Sequence, residues 1–328
     1  MAAADNQSQS PQRRRLLLLH RFPTFEPSFL RSLYTNFTVL DPVADPPHPS
    51  FSILSKSVRV MLCVGPTPVT SDDLDRYPAV EFLVGSSAGV NHVDLDACRR
   101  RGIRVTSAGD VFSDDVADYA VGLVIDVLRR VSAADRFVRA SSWAAGETYA
   151  VASKVSGKRV GIVGLGSIGS RVAKRLEAFG CRVSYKSRKM YPHVSYTYYT
   201  TILDLASNND VLIICCALTD ETYHVVNKDV MTALGKTGVL VNIGRGALVD
   251  EKELVGFLVR GEIGGAGLDV FEHEPHVPNE LFELDNVVLS PHVAVFTPES
   301  FTGLGELIMS NLEAFFSDKH LKAEISLE

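Results

Sequence analysis

The chain has 328 residues, with 33 Lys and Arg against 39 Asp and Glu, for a formal charge of −6. Apolar residues make up 46% and charged residues 22%, enough apolar side chain to offset the ordering entropy, so chain-wide disorder is excluded. No stretch approaches the ~18–20 apolar residues that cross a bilayer, so no membrane partner is expected, and the acidic balance argues against nucleic acid.

Residues 1–12 (MAAADNQSQSPQ) read as a disordered tail. Arg13, Arg14 and Arg15 lead into Leu16–Leu19, a run too short for a secretory signal and broken at once by His20 and Arg21. A short buried first strand is predicted there. An organelle transit sequence is the alternative reading of this Arg- and Ser-containing tail. The runs at 58–65, 81–87, 158–164, 211–218, 239–244, 265–270 and 287–290 are unbroken and apolar, as expected for strands covered on both faces. Cys215 and Cys216 fall inside one run and are expected to be core residues on opposite sides of a strand. Helical patterns fill 114–138, 250–261 and 298–318. Such alternation predicts an α/β protein with parallel sheets and helices on both faces.

At roughly 100–200 residues per domain the length predicts two domains. The strongest ligand signal starts near residue 158, late for a chain whose first 110 residues already alternate strand and helix. The domains are therefore expected to be discontinuous. Residues 13–110 and 298–328 form one, and 111–297 form a second inserted into it, with 114–138 as a single crossover helix. Five cysteines without C-x-x-C spacing predict free thiols in a reducing, cytoplasmic compartment.

Gly164-Leu165-Gly166-Ser167-Ile168-Gly169 is a G-x-G-x-x-G between an apolar run and a helical stretch, the context that a dinucleotide fingerprint requires. Gly164 permits the tight turn, Gly166 lets the backbone approach a pyrophosphate, and Gly169 lets helix and strand pack closely. The free N–H groups of the helix start hold the phosphates. An acid about 20 residues on would bind the ribose 2′-hydroxyl of NAD. Here Ser187, Arg188 and Lys189 stand in its place, and their hydroxyl and cations suit a 2′-phosphate. NADPH is therefore expected in preference to NADH.

Three later segments carry polar residues at predicted strand ends: Asn242-Ile243-Gly244-Arg245-Gly246, Gly267 to Pro275, and Ser290-Pro291-His292-Val293-Ala294. Ligands of open α/β sheets bind at the carboxyl ends of strands, which would gather all three around the glycine loop. Fingerprint, N-x-G-R-G, G-L-D-V-F-x-x-E-P and P-H together resemble the D-isomer-specific 2-hydroxyacid dehydrogenase family, in family order. With Ser87 to Asp94 (SAGVNHVD) the resemblance spans nearly the whole chain. Within the family it is most similar to plant NADPH-dependent glyoxylate/hydroxypyruvate reductases, including hydroxyphenylpyruvate reductase-like members.

The resemblance implies two doubly wound parallel-sheet domains, a Rossmann cofactor domain inserted into a flavodoxin-like substrate domain. It implies that Arg245 binds the carboxylate and keto oxygen of a 2-oxo acid, that His292 donates the proton, and that Glu274 pairs with His292. The chemistry agrees, because hydride transfer to a ketone leaves charge on oxygen and needs a nearby acid. A neighbouring carboxylate favours protonated imidazole. Asp269, Ile243 to Arg245 and His292 to Ala294 are implied at the nicotinamide end. Ser87, Ala88 and Gly89 are implied as the substrate loop, with glycine at 89 supplying a positive φ.

The other eight histidines read as surface or packing residues. His273-x-x-His276 lacks helical zinc spacing, and no metal is expected. Asn91 and Asp118 depart from the common family pattern. Val295 and Phe296 are bulkier than usual and would favour an aromatic 2-oxo acid. Glyoxylate or hydroxypyruvate reduction is the leading reading. The rivals are 4-hydroxyphenylpyruvate reduction and a non-catalytic NAD(P)-sensing co-repressor, which would have no use for Arg245, Glu274 and His292. A homodimer is implied by resemblance, with Trp143 as a candidate anchor.

Overall fold

The computed structural model describes residues 15–21, 30–44 and 48–327. The expected tail 1–12, with Arg13 and Arg14, lies outside the described residues. The chain divides into two compact units. One gathers the residues up to Val111 and from Pro298 onward, and the other runs from Phe112 to Thr297.

The first unit carries β1 (Arg15–His20), β2 (Phe37–Leu40), β3 (Val60–Cys63), β4 (Phe82–Gly85) and β5 (Arg104–Thr106). They pair in parallel in the order β2-β1-β3-β4-β5, the flavodoxin-like order. Every residue of β3 and β4 is buried, which is why their sequences are unbroken apolar runs rather than alternating ones. The short helices between the strands start at side-chain caps. Thr70 and Asp73 form a reciprocal capping box before Ser71–Arg76, and Asp94 accepts from Ala97 N–H before Leu95–Arg100. The C-terminal helix Pro298–Phe316 lays Phe315 on Phe82, with ring centroids 5.1 Å apart. It stops two residues before the expected 318. The chain then returns along β5, where Glu324 bridges Thr106 and its carboxylate meets the Arg104 guanidinium at 2.7 Å.

The second unit carries β6 (Arg159–Val163), β7 (Arg182–Lys186), β8 (Thr197–Tyr198), β9 (Val211–Ile214), β10 (Val239–Asn242), β11 (Gly265–Leu268) and β12 (Val287–Leu289). The parallel order is β12-β11-β10-β9-β6-β7-β8, the dinucleotide-binding order with one further strand. The order reverses between β6 and β9, so the crevice for a ligand lies outside the ends of these two strands. A core of buried Leu, Ile, Val and Phe runs through the sheet and the helices beside it. Each fully buried aliphatic side chain contributes roughly 1.5–3 kcal/mol.

Two sequence expectations are corrected here. The crossover is not one helix: Ser113–Arg129 and Val131–Arg139 are separated at Arg130, whose backbone is left-handed (φ 56°). Two side chains hold the kink, one in the first helix and one beyond the second. Asp126 caps Ser132 N–H at 2.7 Å, and the Tyr149 hydroxyl donates to the Arg130 carbonyl at 2.7 Å. Strand β9 also ends at Ile214, which leaves Cys215 and Cys216 on the turn beyond it. Neither is a fully buried strand residue, and the Cys216 backbone closes on the glycine loop. All five cysteines are free thiols.

Candidate active site

The glycine loop follows β6. Gly164 adopts φ 94°, and a Cβ there would stand 2.7 Å from the Cys216 backbone nitrogen, so only glycine fits at this switch point. A Cβ on Gly169 would sit 2.1 Å from the Gly164 carbonyl oxygen. A Cβ on Gly166 would meet nothing within 4 Å: this glycine leaves open space beside the start of helix Ser167–Ala178, whose first turn holds no acid. Free N–H groups, open space and no opposing charge suit a pyrophosphate. Ile168 lies in that first turn, and Leu165 is buried below it.

Ser187 follows β7 and is buried. Its hydroxyl accepts the Leu165 N–H at 2.9 Å, so it braces the glycine loop from the neighbouring strand. Arg188 and Lys189 are exposed beyond it, and no acid stands between β7 and either cation.

The loop after β10 is folded by the last residue of that strand. Asn242, 1% exposed, accepts the Gly244 N–H at 3.1 Å and donates to the Arg245 carbonyl at 2.9 Å. Ile243 is buried inside this turn. Gly246 follows because a Cβ there would lie 1.9 Å from the Phe271 carbonyl carbon. This contact presses the loop onto the segment after β11. Burial pulls the Arg245 guanidinium down from its ordinary range, and the Glu274 charge pushes it back up.

Glu274 closes that segment. Its Oε1 accepts the Phe271 N–H at 3.1 Å, and its Oε2 stands 2.8 Å from His292 Nδ1. Burial alone would raise its carboxyl, but the His292 hydrogen bond, the two ring and guanidinium charges and the Phe271 N–H together hold it below the usual range. With Nδ1 engaged, Nε2 is the nitrogen His292 has for outside partners. The backbone of His292 is left-handed (φ 56°), uncommon for a residue other than glycine.

Asp269 explains how that conformation is held. It is 1% exposed. Its Oδ1 accepts from the Ser290 hydroxyl at 2.7 Å and from Val293 N–H at 2.9 Å, and its Oδ2 accepts from Ala294 N–H at 3.1 Å. The His292 N–H donates to the Asp269 carbonyl at 2.8 Å. The Asp269 carboxylate thus holds the 290–294 turn, with the N–H groups of Val293 and Ala294 directed onto it. Asn242 and Ser290 are positioning residues: the sequence marked them as polar residues at strand ends, Asn242 closing β10 and Ser290 following β12, but gave them no role of their own.

In the first unit, Ser87, Ala88 and Gly89 form the turn after β4, and the Ser87 carbonyl accepts the Ala108 N–H at 2.9 Å. Gly89 is not left-handed, contrary to expectation. The positive φ in this region belongs to Gly65, at 64°, whose N–H donates to the Ser86 hydroxyl at 2.7 Å. Among the described residues no group of three or more His, Cys, Asp or Glu side chains is arranged to hold a metal ion. His273 and His276 bridge each other through their backbones.

With the sheet orders, the glycine loop and the Glu274–His292 pair in place, the comparisons define the class. Residues 121–294 match the model of the D-isomer specific 2-hydroxyacid dehydrogenase, NAD binding domain, and the chain belongs to that family. It is 54% identical over 317 residues to glyoxylate/hydroxypyruvate reductase HPR3 of Arabidopsis thaliana, covering 95% of this chain and 98% of that one. It is 48% identical to hydroxyphenylpyruvate reductase of Plectranthus scutellarioides, over 82% of this chain and 86% of that protein. Among solved structures it superposes on an NADPH-dependent glyoxylate/hydroxypyruvate reductase from Sinorhizobium meliloti in complex with NADP and malonate. That match has a TM-score of 0.88 at 34% identity and covers 96% and 97% of the two chains.

Proposed function

We propose that the protein is an NADPH-dependent reductase of small 2-oxo acids, converting glyoxylate to glycolate and hydroxypyruvate to D-glycerate. The observation that carries this reading is the Glu274–His292 pair, 2.8 Å apart, in a unit that also holds the glycine loop and Arg245. A cofactor-sensing protein without catalysis has no need of such a pair. When bound, NADPH supplies the hydride that adds to C2 of the substrate. His292 Nε2 delivers the proton to the carbonyl oxygen, and Glu274 at Nδ1 balances the imidazolium before transfer. Arg245 holds the substrate carboxylate and keto oxygen with a planar, bidentate guanidinium. Gly164 to Gly169 would hold the pyrophosphate, and Arg188 with Lys189 the 2′-phosphate, with Ser187 setting the loop between them. In the other unit, the turn Ser87-Ala88-Gly89 is the candidate anion-binding loop.

The test is a panel of 2-oxo acids with NADPH and with NADH, followed by loss of nicotinamide absorbance. Glyoxylate and hydroxypyruvate should give the highest kcat/KM with NADPH. Tight NADPH binding without turnover of any 2-oxo acid would overturn the reading. Exposed Phe296, four residues past His292, supports a second reading, in which 4-hydroxyphenylpyruvate leads the same panel. The homodimer belongs to this proposal too. Trp143 is 73% exposed and Val151 97%, an apolar load in 131–151 that a second copy would cover. Trp143→Glu should turn a sedimenting dimer into a monomer, and an unchanged dimer would refute that role. Free thiols suit a cytoplasmic location, which imaging of a fluorescent fusion would check.

A further inference from the structure

Beside Glu274 in the chain stands a second cluster of titratable side chains that the proposed reaction does not use. The Glu272 side chain is 14% exposed. Its Oε1 stands 2.8 Å from His224 Nε2 and accepts the Tyr223 hydroxyl at 3.3 Å. The His224 ring stacks on Tyr223 with centroids 3.9 Å apart, its Nδ1 lies 3.9 Å from Asp250, and its backbone is left-handed (φ 48°). On the other side, the Glu272 N–H donates to Glu251 Oε2 at 3.0 Å. Glu251 opens helix Glu251–Val259, whose start is capped by Asp250.

Two adjacent backbone N–H groups are therefore aimed at two different carboxylates: Phe271 N–H at Glu274 and Glu272 N–H at Glu251. Hydrogen bonds to ionised acceptors are the stronger kind, and two in succession fix the orientation of the peptide between them. Glu251, Glu272 and Glu274 would repel one another if left alone. Each has its own partner: the Glu272 N–H, His224 and His292 respectively. Partial burial raises the half-buried Glu251 carboxyl, the Glu272 N–H works against that rise, and the charges of Glu272 and Glu274 add to it, so the three groups sense one another.

We infer that Glu251 and His224 are positioning residues of the reaction: they hold the Phe271–Glu274 turn through Glu272 and so fix where Glu274 presents its carboxylate to His292. This rests on the reading of His292 as proton donor.

The test uses the intact enzyme with NADPH and its best 2-oxo acid. Glu251→Ala should lower kcat about tenfold, the size set by one charge-assisted hydrogen bond, while the NADPH Kd from fluorescence titration stays unchanged. Glu251→Gln keeps an oxygen that can accept the Glu272 N–H and should retain near wild-type kcat. Amide hydrogen exchange at Glu272 should quicken in the Ala variant and not in the Gln variant. His224→Asn tolerates the left-handed backbone, is too short to reach Glu272, and should lower kcat severalfold on its own. It serves equally if Glu251→Ala does not fold. Wild-type kcat in Glu251→Ala or His224→Asn, or a Gln variant as slow as the Ala variant, would overturn the inference. His292→Asn is the control. Full turnover there sinks the proton-donor reading itself, whereas a crippled His292→Asn beside a fully active Glu251→Ala sinks the inference alone.

Discussion

Asp269→Asn separates two roles for one carboxylate. In the structure Oδ1 accepts two hydrogen bonds, from Ser290 and Val293, and Oδ2 accepts one from Ala294. Asparagine can keep its oxygen at the Oδ1 position and so preserve the first two. Its amide then faces the Ala294 N–H donor to donor, in a site only 1% exposed. Losing one hydrogen bond to a charged, buried acceptor costs about 1.5–3 kcal/mol. If that cost falls on the turn holding His292, kcat should drop roughly 10- to 150-fold. The assay pairs urea unfolding with steady-state kinetics and a direct NADPH titration. Positioning predicts lower stability and lower kcat with NADPH affinity little changed. Weaker NADPH binding with wild-type stability and kcat would refute the reasoning and leave the cofactor, not the turn, as what Asp269 serves.

Three further outcomes follow. His292→Asn should lower kcat by about 10²–10⁴, the usual size of acid–base catalysis, in a chain with wild-type circular dichroism; wild-type turnover would remove His292 from the chemistry. Replacing both Arg188 and Lys189 with Ala should cut kcat/KM with NADPH about tenfold or more and leave that with NADH unchanged, because only the 2′-phosphate needs them. The Glu274 carboxyl is held below its ordinary value of 4.5. Its stabilising contribution is therefore complete above the unfolded value and lost as pH falls through the lower folded one. Glu274→Gln should flatten the decline of Tm below about pH 4.5, which thermal unfolding across an acid series would measure.

The glycine loop was legible because its constraints are local. Gly164, Gly166 and Gly169 each answer to a backbone turn or a close approach within one strand–turn–helix unit. The parallel sheets were legible in the unbroken runs of β3, β4, β9, β10 and β11, since burial on both faces removes polar positions. Strands β2, β5 and β8 were missed. They are short, and their sequences FTVL, RVT and TY carry little periodicity. The break at Arg130 was invisible because neither glycine nor proline marks it: the hold comes from side chains, Asp126 in the preceding helix and Tyr149 nineteen residues on. The hydrogen bonds from Asp269 to the 290–294 turn were hidden because its partners lie 21 to 25 residues away. The expected positive φ at Gly89 failed because a glycine permits that conformation without requiring it, and Gly65 uses it instead.

The left-handed backbone at His292 has a consequence for anyone who edits this position. Substitutions are sorted by conformation before they are sorted by chemistry. Valine, isoleucine and threonine resist a positive φ, so they would spring the whole turn and report a mixture of lost acid and lost geometry. Asparagine and glycine accept it, and would silence the acid while leaving the turn as it stands. A saturation library at 292 should therefore fall into folded-silent and misfolded-silent groups. Asparagine is accordingly the substitution of choice for a dead enzyme in which substrate and cofactor are to be trapped together.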